Sequence, residues 1–143
     1  MMKEIHSYWA YLVVLMLVFA VFNAVTGLTK KREFTDKDIR IGLFTLIVSH
    51  IQLLIGLGWY FMSPVYKALK ADSSVVMSNS GSRLLAIEHP LMMLIAIVLI
   101  TIGWSKHKKK TEDNAKFKTF AIFYGIALLL VLSRIPWNQW FQF

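Results

Sequence analysis

The fold is decided by the segment at residues 41–62, which reads IGLFTLIVSHIQLLIGLGWYFM. It is long and apolar enough to cross a membrane, because the hydrocarbon core is about 30 Å thick and a helix rises about 1.5 Å per residue. His50 lies in the middle of this segment, and His89 lies inside the next segment of the same kind. An ionisable side chain at that depth is costly and by default marks a functional site. The sequence therefore predicts membrane-spanning helices with a site centred on His50 and His89.

Further segments of the chain share this length and apolar character. A chain of 143 residues that is 57% hydrophobic and 17% charged is too apolar for a soluble domain of its size. No linker, internal repeat or low-complexity tract divides it. We therefore predict an all-α fold, a single integral membrane domain over residues 1–143 that forms a four-helix up-down bundle. The predicted spans are residues 8–28, 41–62, 84–104 and 120–136.

The basic residues predict how the bundle is oriented. Two links hold eleven of the sixteen lysines and arginines: Lys30, Lys31, Arg32, Lys37 and Arg40 in the first, and Lys106, Lys108, Lys109, Lys110, Lys116 and Lys118 in the second. This bias places both links in the cytoplasm and both termini outside. The net charge of +8 does not indicate nucleic-acid binding, since the basic residues flank the spans and no recognition motif accompanies them. The lipid bilayer is the predicted partner.

The histidines fit a haem site. The absence of cysteine excludes thiolate metal sites, iron–sulfur clusters and covalent haem attachment. Two inward histidines on different helices fit a b-type haem, which axial imidazoles hold noncovalently in an apolar pocket. Counted from the outer helix ends at about 1.5 Å per residue, His50 lies about 18 Å deep and His89 about 9 Å deep, so this pair is strained. His6, at or just outside the start of the first helix, is nearer the level of His89 and is the substitute ligand.

Several of these residues have simpler alternative roles. His50 would also serve as a structural group that donates a hydrogen bond to a carbonyl or hydroxyl of a neighbouring helix. Glu88 and Arg134 lie near the outer ends of their helices and would form an ion pair. Alternatively, Arg134 and Arg83 would bind haem propionates and Glu88 would relay protons. His107 lies in the lysine-rich link and is expected to be solvated.

The second and third predicted helices carry two local features. Small and polar residues share one face of the second helix, which suits close helix packing. They are Thr45, Ser49, Gln52 and Gly56. On the third helix Pro90 directly follows His89, removes one helical hydrogen bond and frees the carbonyl of Ala86. We expect the helix to bend beside His89.

Six short motifs carry a family resemblance. They are HSYW (6–9), FTDKDIR (34–40), SHIQLLIGL (49–57), YFMSP (60–64), EHPLMM (88–93) and TIGWSK (101–106). Together they resemble a family of small bacterial four-helix membrane proteins often labelled cytochrome b, and the resemblance covers nearly the whole chain. The His-x-Gln-x-x-x-Gly run that starts at His50 is also loosely similar to helices of haem A synthases and other four-helix b-type cytochromes.

The resemblance implies noncovalent haem b and electron transfer in the bacterial inner membrane, with His50 and His89 at the positions that such a cytochrome would use. The chain departs from a two-haem cytochrome, which needs four axial ligands, because only three of its histidines lie in or near the bundle. At most one bis-histidine haem can form, so electrons would pass to or from a quinone, an oxidant or a partner subunit on the outer side.

Two other classes of function compete with this one. The first is a non-enzymatic accessory or assembly subunit without a cofactor, whose polar faces and aromatic tail (137–143) contact a larger complex. The second is a small channel or proton carrier that uses Glu88, His50 and His89. Hydrolase activity is not expected, since the sequence has no Ser/His/Asp constellation, zinc motif or phosphate loop.

Overall fold

The structure is a computed structural model that describes residues 2–135. In this part of the chain 89% is helical and there are no strands. In chain order the helices are α1 (Met2–Thr29), α2 (Asp36–Met62), α3 (Pro64–Ala71), α4 (Ser73–Ser78), α5 (Ser80–Arg83), α6 (His89–Lys108) and α7 (Asp113–Arg134). A π-helical turn, Leu84–Glu88, joins α5 to α6.

The predicted all-helical class is confirmed. Four helical stretches in the described part of the chain are long and apolar enough to cross a membrane, as expected of a multi-pass membrane protein. They are α1, α2, α7 and the continuous run Ser80–Lys108, which comprises α5, the π turn and α6. Helix α1 begins at Met2 rather than at residue 8, and α7 begins at Asp113 rather than at residue 120. The predicted end of the fourth span at Pro136 and the aromatic tail (137–143) lie outside the described residues.

The four long helices form a ring in which each packs against two others. Helix α1 contacts α2 and α7, and α6 contacts the same two neighbours. Short links make α1 and α2, and likewise α6 and α7, antiparallel neighbours, as predicted for an up-down bundle. Consequently α1 and α6 occupy opposite corners of the bundle. The connection between α2 and the π turn consists of the three short helices α3, α4 and α5.

The link between α1 and α2 is fastened by Asp38, whose side chain is almost fully buried. Its carboxylate accepts hydrogen bonds from the Asn23 side-chain amide at 2.7 Å and from the backbone N–H of Thr35 at 2.8 Å. Thr35 and Asp38 form a capping box at the start of α2. The Arg32 guanidinium lies 3.3 Å from the same carboxylate. Asp38 therefore joins the end of α1 to the start of α2.

The core at this end of the bundle is aromatic. Phe34 from the link stacks on Phe120 of α7, with ring centres 5.8 Å apart. Gly42 lets Phe120 approach α2, because a Cβ at that position would lie 2.7 Å from the ring. Tyr124 is fully buried, and its hydroxyl donates a 2.8 Å hydrogen bond across the bundle to the carbonyl of Gly42. These contacts fill the bundle interior near the basic links.

His107 belongs to this aromatic core, so the expectation that it is solvated was wrong. Its side chain is only 3% exposed. Its ring centre lies 4.5 Å from that of Phe120 and 4.6 Å from that of Trp104, and its Nδ1 bonds to the carbonyl of Trp104. Helix α6 continues to Lys108 and thereby carries His107 inward while the flanking lysines remain exposed.

Candidate functional site

A cavity of about 510 Å³ lies in the half of the bundle where α1 and α6 begin and α2 and α7 end. Its size is within the range of about 300–1,000 Å³ that is typical of small-molecule and cofactor sites. Its walls come from all four long helices and the π turn and are mainly apolar. The residues with polar side-chain atoms in the wall are His6, Ser7, Ser49, Gln52, Trp59, Tyr60 and His89.

His6 and His89 face each other in this cavity. Their ring centres are 6.2 Å apart and their ring planes are perpendicular. Metal–nitrogen bonds to histidine are about 2.0–2.1 Å long, so two imidazoles on opposite sides of one metal ion have ring centres about 6 Å apart. Because α1 and α6 occupy opposite corners of the bundle, a group held between the two rings would lie in the bundle core.

His89 is oriented by the end of α7. Its Nδ1 lies 2.8 Å from the backbone carbonyl of Arg134, which can only accept, so Nδ1 carries the proton. The other ring nitrogen, Nε2, then carries a free lone pair. Metal-ligating histidines commonly donate their second N–H to a backbone carbonyl in this way, because the bond fixes the tautomer and the ring orientation.

The helix around His89 departs from α-helical geometry. The backbone N–H of His89 donates to the carbonyl of Leu84, five residues earlier, at the end of the π turn. The next residue, Pro90, has no N–H to give to the carbonyl of Ala86. That carbonyl instead accepts a 2.7 Å hydrogen bond from the hydroxyl of Tyr60 on α2. The expected local disturbance beside His89 thus takes the form of a π turn, a feature frequent at functional sites.

His6 is positioned by α2. The Gln52 side chain donates a 2.9 Å hydrogen bond to the backbone carbonyl of His6, and the Trp9 indole N–H donates one of 2.8 Å to the carbonyl of Val48. The imidazole lies over Gly56, where an added Cβ would be 3.0 Å from its Cε1 atom. It is also parallel to the ring of Trp59, with centres 6.4 Å apart. The small residue at position 56 therefore makes room for His6.

Three polar atoms in the cavity wall lack hydrogen bonds. Among the described residues, the Ser49 hydroxyl, Oε1 of Gln52 and Nδ1 of His6 are buried without a hydrogen-bond partner. Ser49 is only 1% exposed. A buried polar group without a partner costs about 1–3 kcal/mol, so such groups normally bond to protein, water or a ligand. Their concentration in one cavity wall marks the place where water or a polar atom of a ligand would bond.

Glu88 lies between the two arginines named in the sequence analysis. Nε of Arg83 donates to its Oε2 at 3.0 Å, and Nε of Arg134 lies 3.9 Å from its Oε1. The geometry is that of an ion-pair cluster at the end of the bundle where the cavity lies. The cluster contains two cations and one carboxylate, so it carries a net positive charge beside His89.

His50 lies elsewhere, and the structure does not bring it to His89. Its Nδ1 is 2.8 Å from the carbonyl of Leu46, and its Nε2 is 3.3 Å from the hydroxyl of Thr101 on α6. Thr101 follows His89 by twelve residues, or about 18 Å along a helix. His50 is not among the residues that line the cavity. Its contact with Thr101 joins α2 to α6, as in its alternative structural role, but the neutral ring donates from Nδ1 to Leu46 in its own helix, so Nε2 is the acceptor towards Thr101.

Sequence reasoning undervalued Ser49, Gln52 and Gly56, which it assigned to helix packing. They do share one face of α2, but this face lines the cavity and supports His6. The sequence did contain a signal for this site. Two polar side chains and a glycine share one face of the second helix, in the half of the bundle that also contains His6. The predicted span began at residue 8, so His6 was placed at or just outside the start of the first helix and was named only as the substitute ligand.

The residues present fit a haem. Among residues 2–135 no three His, Asp or Glu side chains come together as a metal-ion site. A haem iron needs only one or two ligands from the protein, and the imidazoles of His6 and His89 in the apolar cavity would supply them.

No protein-family model, curated protein or solved structure matches this chain.

Proposed function

We propose that this chain is a multi-pass protein of the bacterial inner membrane that binds one haem b noncovalently and takes part in electron transfer. The observation that carries the proposal is the 6.2 Å separation of the His6 and His89 rings inside a cavity of about 510 Å³. The six motifs of the sequence analysis support the same function by resemblance. The positive-inside bias supports an orientation with the cavity in the outer half of the membrane.

His6 and His89 are the proposed axial ligands. His89 is the better prepared of the two, since its hydrogen bond to Arg134 holds the Nδ1 proton and orients the ring, so that Nε2 of the neutral imidazole is the ligand atom. When bound, the haem supplies one-electron exchange, while the protein sets its position and surroundings. The cavity wall is mainly apolar, and the His6 ring lies over Gly56 and parallel to the ring of Trp59.

The ion-pair cluster of Arg83, Glu88 and Arg134 is the proposed binding site of the haem propionates. Arg83 and Arg134 are the proposed propionate partners, and their shared partner Glu88 keeps both guanidinium groups near the cavity. Arginine matches a carboxylate well because its planar group donates two parallel hydrogen bonds. Electrons would then pass to a quinone, an oxidant or a partner subunit on the outer side.

His50 is not a ligand in this proposal, although the resemblance assigned it that role. Both of its ring nitrogens already have protein partners, and it lies far from the level of His89. The proposal assigns His50 the task of joining α2 to α6.

The test is the haem content of the purified protein and its histidine variants. The protein is expressed with ample haem, and bound haem b is measured as a pyridine haemochrome. We expect near-stoichiometric haem in the wild type, loss in His6→Ala and His89→Ala, and retention in the matched variant His50→Ala. Absence of haem from a folded wild-type protein would refute the proposal and favour an accessory subunit without a cofactor.

A further inference from the structure

We propose that the ligand of this cavity enters from the lipid phase, through a lateral opening between α2 and α6. The identity of the ligand rests on the proposed function, and its source rests on the proposed membrane location. The route itself rests on the exposure of the cavity wall, on the hydrogen bonds that border the opening and on the chemistry of the residues between them.

Part of the cavity wall is also the outer surface of the bundle. Leu57 of α2 lines the cavity and is 40% exposed. Leu91 and Leu94 of α6 line it as well and are 50% and 46% exposed. A side chain that both borders an internal cavity and remains this exposed marks a place where the wall is incomplete. The cavity therefore opens to the side of the bundle between these leucines.

Hydrogen bonds border this opening along the bundle axis. On one side, the hydroxyl of Tyr60 binds the carbonyl of Ala86 in the π turn at 2.7 Å. On the other, His50 bonds to Thr101 at 3.3 Å. These bonds hold the two helices together at both ends of the stretch that contains the exposed leucines. Helices held at two points can separate locally between them while the bundle stays assembled.

The other sides of the cavity are closed. Trp9 and Gln52 join α1 to α2 by hydrogen bonds to backbone carbonyls. On the α7 side, Val131 and Ile135 are buried and line the cavity. His89 is bonded to the end of α7 through the carbonyl of Arg134. Of these sides, the one between α2 and α6 is the side with exposed lining residues.

The chemistry of the opening matches a lipid-phase ligand. Its border is leucine, which offers no hydrogen bond to water or to a charged molecule. The polar atoms without partners, on Ser49, Gln52 and His6, lie farther inside. A largely apolar molecule would pass the leucines and reach the interior of the cavity. A haem in the bilayer has this character, since its macrocycle is apolar and its two carboxylates lie on one edge, which the proposed function places at Arg83 and Arg134.

The test uses the absence of cysteine from the chain. Ser49→Cys and Ala96→Cys each place a thiol in the cavity wall, on α2 and α6. Thr45→Cys is the matched control, because Thr45 is equally buried on α2 but does not line the cavity. The protein is expressed without added haem, so that haem does not fill the cavity, and is reconstituted in lipid nanodiscs. It is exposed either to a lipid-soluble maleimide or to a charged, water-soluble one, and labelling rates are measured by mass spectrometry.

We expect the lipid-soluble reagent to label Ser49→Cys and Ala96→Cys and to leave Thr45→Cys unlabelled, with little reaction from the charged reagent. Adding Leu94→Trp should slow the labelling about tenfold, equivalent to a barrier increase of about 1.4 kcal/mol. The control Leu54→Trp changes a lipid-facing leucine that is 70% exposed and outside the cavity wall, and should leave the rate unchanged.

Two outcomes would overturn the route. Equal labelling by the charged reagent would place the opening on the aqueous side, and no labelling of either cavity thiol would show that the opening is closed. The measurement needs no haem. A protein that labels as expected but binds no haem would therefore refute the proposed function and leave the lateral route standing.

Discussion

The hydroxyl of Tyr60 donates a 2.7 Å hydrogen bond to the backbone carbonyl of Ala86, on the helical segment that carries His89. The acceptor is free because Pro90, four residues later, has no N–H to give it. Because Pro90 leaves this carbonyl without a helical donor, the Tyr60 hydroxyl can bond to it and join α2 to the π turn. This bond also forms one border of the lateral opening.

Removal of this bond should destabilise the bundle. In Tyr60→Phe the carbonyl of Ala86 loses its partner, and we expect a loss of about 1–3 kcal/mol in the free energy of unfolding. In a Pro90→Ala background the loss should be smaller, because the restored N–H can satisfy the same carbonyl. Unfolding in mixed detergent micelles, followed by circular dichroism, measures both values. Equal losses in the two backgrounds would argue against the role assigned to Pro90.

Gly56→Ala should weaken haem binding. The added Cβ would lie 3.0 Å from Cε1 of His6 and 3.4 Å from its Nδ1, so the ring must move. Overpacking costs about 1–3 kcal/mol, which corresponds to a roughly tenfold to hundredfold loss of affinity. Haem titration of the apoprotein measures the effect. Gly125→Ala on α7 is the matched control, since nothing lies within 4 Å of its added Cβ; an equal loss there would show that the effect is not local to His6.

Asp38→Ala should destabilise the end of the bundle that lies far from the cavity. The buried carboxylate accepts hydrogen bonds from Asn23, Arg32 and Thr35. Hydrogen bonds to charged groups contribute about 1.5–3 kcal/mol, and we expect a loss of that size in the free energy of unfolding. Asp36→Ala, at an exposed position in the first turn of the same helix, should cost less. Haem content should be unchanged in folded Asp38→Ala protein.

The sequence predicted the long apolar helices, but it named His6, which lies beside His89 in the structure, only as the substitute ligand. Segment 41–62 predicts α2 because length and apolar character alone decide whether a segment can span a membrane. Which histidines meet depends on helix ends and rotations, and these depend on contacts between helices. Helix α1 begins six residues before the predicted start of the first span, which corresponds to about 9 Å, and His6 lies in this additional stretch.

Contacts from distant parts of the chain explain the other differences. His107 is flanked by lysines in the sequence, yet Phe34 and Phe120 cover its ring. His50 lies in the middle of a long apolar segment, where sequence reasoning expects a functional group. Thr101, 51 residues later, instead gives its ring an interhelical partner. Such partners belong to the tertiary structure and leave no periodic signal near the histidine.

His50→Ala should separate stability from haem binding. The variant loses the hydrogen bond to Thr101, and we expect a decrease of about 0.6–2 kcal/mol in the free energy of unfolding, the range found for polar contacts between membrane helices. Haem stoichiometry and the reduced spectrum should stay as in the wild type. Loss of the chromophore from stable His50→Ala protein would return His50 to the ligand role that the family resemblance implied.

The measurement that tests the central claim most directly is the electron paramagnetic resonance spectrum of the oxidised protein, with His6→Ala and His89→Ala beside the wild type. Two axial imidazoles make ferric haem six-coordinate and low-spin, so the wild type should give a low-spin signal. Each alanine variant should lose that signal, through conversion to high-spin iron or loss of haem. A wild-type protein without a low-spin haem signal, or a signal that survives in either variant, would contradict the assignment of His6 and His89 as the axial pair.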